Sequence, residues 1–172
     1  YAALATNGGD RLDVWLAWAN ALAQHHRYEV AAEVAAEAAA RFPDDPVLPI
    51  VRTFSGGMAG DALRAARQLG QWYAADPDNE FLWATLSQVA LRASLPELAA
   101  ETAGRLSERY PYHQTAWSIL SLAWRLLDDP REYWLCDYDR FVMAVEVPPP
   151  GEEGTAEGYA MKIAAVLGAL HT

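Results

Sequence analysis

The feature that most constrains this fold is a sequence period of 34 residues. Prolines, alanines and tryptophans all recur at this interval or at twice this interval. They are Pro43, Pro77 and Pro111; Ala31, Ala65 and Ala99; and Trp15, Trp83 and Trp117. Residue types that recur at one spacing mark structurally equivalent units, each of which buries its apolar face against its neighbours. The sequence therefore predicts a stack of repeated units.

Each unit has the pattern of two helices joined by a short turn. In residues 13–24, Trp15 and Leu22 lie on one apolar stripe of a helix. Residues 28–42 predict a second helix, whose small alanines allow it to approach the first closely. The proline after each second helix cannot continue that helix. We predict an all-α fold of about three and a half helix pairs, with residues 1–128 as one helical repeat domain.

Two of the units depart from the pattern. The second has Pro49 in place of the tryptophan, and its sequence SGGM (55–58) falls where the turn between the helices is expected. We therefore expect its first helix to be short or distorted. The fourth unit keeps only the half that corresponds to a first helix before the sequence DDP (128–130) interrupts it.

The period and its marker residues resemble the tetratricopeptide repeat family over roughly residues 10–128. This resemblance implies an α-solenoid whose first helices line a concave groove that holds an extended peptide or a partner helix. It therefore implies a protein–protein or peptide-binding scaffold. The groove residues would be Asp13, Asn20, Gln24, Phe81, Gln88, Arg92, Thr115 and Arg125, with Leu16, Ala84 and Ser118 between them.

These residues form a mixed lining of amides, arginines and one phenylalanine. Asn20 and Gln88 would pair with a peptide backbone, and Arg92 or Arg125 would bind a carboxylate. The alternative is an ordinary polar helix face that meets only solvent.

Composition excludes several classes of function. The net charge of −10 argues against binding to a nucleic acid backbone, and no apolar run reaches the length of a membrane span. The single cysteine, Cys136, suits a reducing compartment, and we expect the cytoplasm. None of the four histidines lies in a metal-binding or catalytic motif. We therefore expect no catalytic residues and no metal site in this chain.

The sequence changes character after residue 128. Alternating apolar residues predict a strand over 140–147, which the sequence PPPG (148–151) ends. Residues 155–172 then predict a helix with one apolar stripe. We expect a homodimer through the strand at 140–147, because an unpaired strand edge favours pairing with another chain. The stripe consists of Tyr159, Ile163, Val166 and Leu170.

Residues 126–171 resemble a junction found in a bacterial group of 2-oxoglutarate- and Fe(II)-dependent oxygenases, especially in WLCDYDRFV and VPPPGE. In that group, tetratricopeptide repeats run into a jelly-roll catalytic domain. The resemblance implies that residues 129–172 begin this domain and that the repeats recruit its substrate. Fe(II) and 2-oxoglutarate would then bind to residues beyond Thr172. The alternative is a free-standing repeat adaptor in which residues 129–172 cap the solenoid.

Overall fold

The chain is all-helical over the residues that the structure describes. A computed structural model of the chain describes residues 11–144 and 155–170. None of the helices in these two ranges is long and apolar enough to cross a bilayer. The helices are α1 (Leu12–Gln24), α2 (Tyr28–Arg41), α3 (Val47–Ala59), α4 (Ala62–Ala75), α5 (Glu80–Arg92), α6 (Pro96–Arg109), α7 (Gln114–Leu126), α8 (Arg131–Leu135), α9 (Tyr138–Phe141) and α10 (Ala156–Leu170).

The chain divides into two compact units between Cys136 and Asp137. Helices α1 to α8 belong to the first unit, and α9 and α10 belong to the second. The predicted domain boundary after residue 128 stays a prediction.

The first unit repeats at the interval that the sequence predicts. Its second helices, α2, α4 and α6, each have 14 residues and begin 34 residues apart. Each of them packs against the first helix of its own pair and against the first helix of the next pair. The first unit is thus a helical-repeat bundle, consistent with a tetratricopeptide-like fold, and the all-α prediction is confirmed.

The core lies between the helices of successive pairs. One cluster of buried side chains joins α1, α2 and the start of α3 around Trp15. A second cluster runs from α3 to α7 around Trp83 and Leu86. Trp15 and Trp83 of the sequence period are therefore core residues, and Trp117 is partly buried against the second cluster.

Left-handed residues close three of the first helices at equivalent positions. Their φ angles are 58° at His26, 58° at Ser94 and 52° at Asp128. In each turn the next amide N–H donates to a carbonyl five residues back, as in a Schellman motif. These bonds are 2.9 Å long and join Arg27 to Leu22, Leu95 to Ala90, and Asp129 to Trp124.

The starts of the first helices also repeat. Asp45 caps α3 by accepting from the Leu48 N–H at 2.9 Å, and Asn79 caps α5 by accepting from Leu82 N–H at 3.3 Å. His113 takes the same position before α7. The phrases FPDD, DPDN and YPYH are therefore helix starts as well as helix ends.

The recurring tryptophans and prolines are joined by hydrogen bonds. Trp83 Nε1 donates to the Pro77 carbonyl oxygen at 2.8 Å, and Trp117 Nε1 donates to the Pro111 carbonyl oxygen at 2.7 Å. Each bond ties the first turn of a first helix to the segment that precedes it. The two markers of the sequence period therefore form one structural feature.

The predicted distortion of α3 is wrong. This helix has 13 residues, like the other first helices of the bundle, and SGGM lies inside it. It begins and ends one residue later than the period requires, so that Ile50 takes the core position expected at residue 49 and is buried. Pro49 falls in the first helical turn, where a missing N–H removes no helical hydrogen bond.

The fourth pair stops early. Its second helix, α8, follows Pro130 as α6 follows Leu95, but it ends after five residues. The period places Tyr133 where the other pairs have alanine, and Tyr133 is 55% exposed whereas those alanines are at most 4% exposed. A tyrosine is too large for that closely packed position, so α8 cannot pack on α7 as α6 packs on α5.

The predicted strand at 140–147 is wrong over the residues described there. Arg140 and Phe141 belong to the helical turn α9, and residues 142–144 have no regular structure. Asp137 starts the turn, because its Oδ1 accepts from the Arg140 N–H at 3.0 Å. The rest of that strand and the PPPG turn lie outside the described residues, whereas the predicted C-terminal helix corresponds to α10.

Gly57 marks the closest approach between α3 and its neighbours. A Cβ atom at this position would lie 2.5 Å from the Ala65 Cβ and 3.2 Å from Val89 Cγ1. At Gly56, the adjacent residue of the same helix, a Cβ would have no atom within 4 Å. The packing of α3 against α4 and α5 therefore requires glycine at 57 and not at 56.

We expect opposite effects of alanine at these two positions. Gly57→Ala should lower the free energy of unfolding by about 1–3 kcal/mol, because the added methyl group overpacks the contact. Gly56→Ala should raise it by about 0.5–1 kcal/mol, because it removes backbone entropy from the unfolded chain. Urea unfolding of both variants measures these changes in the free energy of unfolding. Similar shifts in both would contradict the close approach of α3.

A polar contact joins the start of α5 to the end of α6. Glu80 accepts a hydrogen bond from the Tyr110 hydroxyl and another, at 3.0 Å, from Arg109 Nε. Both partners stabilise the charged carboxylate and hold the pKa of Glu80 below its ordinary value near 4.5, with Tyr110 as the larger cause.

This contact should contribute to stability only above the pH at which Glu80 titrates. A lowered pKa in the folded state favours folding above the ordinary pKa, and this contribution is lost as the pH falls through the lowered value. Glu80→Gln should therefore unfold more easily than the parent at pH 7 and equally at pH 2. Glu108→Gln, an exposed carboxylate of α6, serves as the control and should show no such difference between the two pH values.

Candidate functional site

An open groove of about 770 Å³ crosses the first helices of the bundle. Helix α5 contributes Phe81, Ala84, Thr85 and Gln88, whose spacing places them on one helix face. Equivalent faces of α1 and α3 lie beside it, and Thr115 comes from the first turn of α7. Repetition of the helix pairs thus brings the same face of successive first helices together.

The groove lining carries no aspartate, glutamate, lysine or arginine among the residues that the structure describes. It consists of aliphatic and aromatic side chains, amides, hydroxyls and two histidines. The lining residues are Leu16, Ala17, Ala19, Asn20, Ala23, Gln24, His26, Tyr28, Val47, Val51, Phe54, Ser55, Phe81, Ala84, Thr85, Gln88, His113 and Thr115.

The structure brings five of the eight predicted site residues into this groove. They come from three helices that are separated in sequence, and Leu16 and Ala84 join them as the repeat register predicts. The five are Asn20, Gln24, Phe81, Gln88 and Thr115.

The other three predicted residues do not line the groove. Asp13 forms an exposed ion pair with Arg11, and Arg92 is exposed at the end of α5. Arg125 donates to Glu132 Oε1, at 3.1 Å from Nε and 2.5 Å from Nη2. The predicted carboxylate contacts of Arg92 and Arg125 therefore have no counterpart in the groove.

The groove offers both hydrogen-bond acceptors and donors. Gln88 Nε2 donates to the Ala84 carbonyl oxygen at 2.8 Å, so its Oε1 atom remains available as an acceptor. His113 Nδ1 accepts from the Ala116 N–H at 3.2 Å, which places the proton of the neutral ring on Nε2. A ligand that presents alternating N–H and C=O groups can use both.

Ser55 is the most unusual polar residue of the lining. It is fully buried, and its Oγ atom has no hydrogen-bond partner among the described residues. The buried Ser87 and Ser107, by contrast, donate to carbonyl oxygens of their own helices. An unsatisfied buried hydroxyl costs free energy, because it gives up its hydrogen bonds to water without gaining another.

Sequence reasoning missed the contribution of the second unit. Val47, Val51 and Phe54 line the groove, and the Phe54 ring lies edge-on to Tyr28 at a centroid distance of 6.4 Å. The expected distortion of α3 concealed them. The period itself identifies this face, because the three residues lie 34 positions before Phe81, Thr85 and Gln88.

The described residues do not fit an iron site. They contain no group of three or more histidine, cysteine, aspartate or glutamate side chains that could hold a metal ion. None of the four histidines of the chain begins a His-x-Asp sequence. We therefore assign no metal-dependent step to these residues.

Comparisons with protein-family models, with curated proteins and with solved structures found no match to this chain.

Ser55 and Ser87 should respond oppositely to removal of the hydroxyl group. Ser55→Ala should raise the free energy of unfolding by about 1 kcal/mol, because it removes a buried group without a partner. Ser87→Ala should leave it unchanged or lower it by about 0.5–1 kcal/mol, because a hydrogen bond is lost. Urea unfolding compares the two variants. A loss of stability in Ser55→Ala would mean that its Oγ atom has a partner in the folded protein.

Proposed function

We propose that this protein is a scaffold module that binds an extended, uncharged segment of a partner protein in the groove. In this proposal the helix pairs form a tetratricopeptide-like solenoid. The observation that carries it is the convergence of five predicted residues, from three helices, on one groove without charged side chains. A volume of about 770 Å³ lies within the range of specific binding sites.

An extended backbone suits the groove better than a helix does. A bound helix already pairs its own backbone groups, whereas an extended segment presents them to the protein. Gln88 Oε1 can accept from a backbone N–H of that segment, and His113 Nε2–H can donate to a backbone carbonyl oxygen. Phe81 and Phe54 supply apolar surface for side chains between the polar contacts.

The lining also determines which segments are excluded. A charged side chain that enters the groove loses water and finds no opposite charge among the lining residues. We therefore propose recognition of polar, uncharged and apolar side chains, and not of a terminal carboxylate.

We also propose a role for this module within a larger protein. On the resemblance of residues 126–171, the module would recruit substrate for a 2-oxoglutarate- and Fe(II)-dependent oxygenase domain. The alternative is an adaptor that acts without such a domain. The native coding frame after Thr172 distinguishes them, because a catalytic domain requires a His-x-Asp pair, a distal histidine and an arginine.

Binding to synthetic peptides tests the proposed function directly. Three sets of 12-residue peptides share their apolar residues and carry neutral, acidic or basic residues between them. Fluorescence anisotropy with the full chain should show binding to the neutral set. Phe81→Ala combined with Gln88→Ala should weaken it by roughly tenfold or more, the loss expected from removing one apolar and one polar contact.

The matched control removes the same kinds of side chain elsewhere. Leu63→Ala combined with Gln71→Ala changes one exposed apolar residue and one exposed amide of α4, outside the groove. It should leave the affinity unchanged. Equal losses in both double variants, or tightest binding to the acidic set, would contradict the proposal.

A further inference from the structure

A second concavity, of about 510 Å³, lies on the side of α3 that faces away from the groove. Gly56 lines this concavity, whereas Phe54 lines the groove. Successive helical residues differ in direction by about 100°, so residues two apart point to nearly opposite sides of a helix. We name this concavity the arginine cleft. Helices α3 and α4 form most of its lining, which includes Arg52, Thr53, Gly56, Arg64, Gln68 and Trp72.

The arginine cleft lies in the basic part of an acidic chain. Helices α3 and α4 with the turn between them, residues 47–75, carry three arginines and one aspartate, whereas the whole chain has a net charge of −10. The first helix pair, residues 12–41, has two basic and four acidic residues. The third pair, residues 80–109, has three basic and four acidic residues. The second pair therefore gives this surface a local positive potential, which favours an anionic ligand.

One of the two arginines of the cleft has no partner within the protein. Arg64 Nε pairs with Asp61 Oδ2 at 2.6 Å. Arg52 is exposed, and its guanidinium group forms no ion pair or hydrogen bond with any residue in the ranges 11–144 and 155–170. A guanidinium group with all its donors available can bind a carboxylate through two parallel hydrogen bonds.

Trp72 adds an apolar surface and a further donor to the cleft. It is partly buried against the second core cluster. Its Nε1 atom forms no hydrogen bond with a described residue, whereas the Nε1 atoms of Trp83 and Trp117 donate to carbonyl oxygens. At Gly56 a Cβ atom would have no atom within 4 Å, so the space beside the α3 backbone is open. The cleft therefore has room for an apolar side chain next to a carboxylate.

We propose that the arginine cleft binds an acidic segment of a partner protein. Carboxylates of that segment pair with Arg52 and Arg64, and a neighbouring aromatic side chain packs on Trp72. The site lies on the other side of α3 from the groove and does not depend on the function proposed for the groove. Ion pairs of exposed arginines are individually weak and are screened by salt. Acidic segments should therefore bind here more weakly than neutral segments bind in the groove.

Two matched hexapeptides test this proposal with the full chain. One carries two glutamates and one phenylalanine among glycines, and the other has glutamines in place of the glutamates. The glutamate peptide should shift the NMR signal of the Trp72 indole N–H, which a Trp72→Phe variant identifies. At low salt it should bind roughly fivefold more tightly than the glutamine peptide, the gain expected from two exposed ion pairs. This preference should fade at about 0.5 M salt.

Two arginines of the second helix pair provide the matched control. Arg52→Gln and Arg67→Gln each remove one exposed positive charge, but only Arg52 lines the cleft. Arg52→Gln should remove most of the preference for the glutamate peptide, and Arg67→Gln should keep it. Phe81→Ala combined with Gln88→Ala, which alters the groove, should keep it as well. Equal binding of the two peptides, equal losses in the two arginine variants, or a loss in the groove variant would overturn the proposal.

Discussion

The close approach of each second helix to the first helices beside it is the constraint on which the repeat depends. It is possible because Ala31, Ala65 and Ala99 are small enough to be buried between helices. Gly57 extends the same requirement to α3, where even a methyl group would collide with Ala65. Helices at this distance exclude water from the core and hold the first helices side by side, and the groove follows from that arrangement.

The same constraint explains where the repeat ends. Tyr133 occupies the position of those alanines in the fourth pair, and α8 stops two residues later. Asp129 accepts hydrogen bonds from the Arg131 side chain, which lower the pKa of its carboxyl to about 2, and its N–H donates to the Trp124 carbonyl oxygen at 2.9 Å. The turn after α7 is therefore retained although the helix that follows it has only five residues, and the leucines of α7 stay exposed.

The sequence predicted the features that the 34-residue period sets, and it missed those that depend on local contacts. The second helices and five groove residues followed from a fixed period, because every pair places one helix face in the same direction. The period does not show how far the groove extends along that helix face. Arg92 was therefore expected in the groove, although it is exposed to solvent at the end of α5. The groove residues of α3 were missed because that helix was expected to be distorted, although Val47 and Phe54 follow the same period as Phe81 and Gln88. Over residues 140–144 the predicted strand is absent, and its first two residues lie in a helical turn that the Asp137 side chain caps despite the alternation of apolar residues.

The acidic charge of the chain affects a partner at long range, whereas the lack of charged side chains in the groove matters only for groups that enter it. Much of the charge has local partners: Asp45, Asp137 and Glu80 each accept hydrogen bonds at a helix end. The remaining negative potential affects how a partner approaches, an effect that salt screens beyond about 10 Å. Inside the groove, desolvation decides the outcome, and it penalises positive and negative side chains alike because neither meets an opposite charge. On the proposed function, a basic partner would be attracted to the surface of this protein, whereas the segment that enters the groove would be neutral.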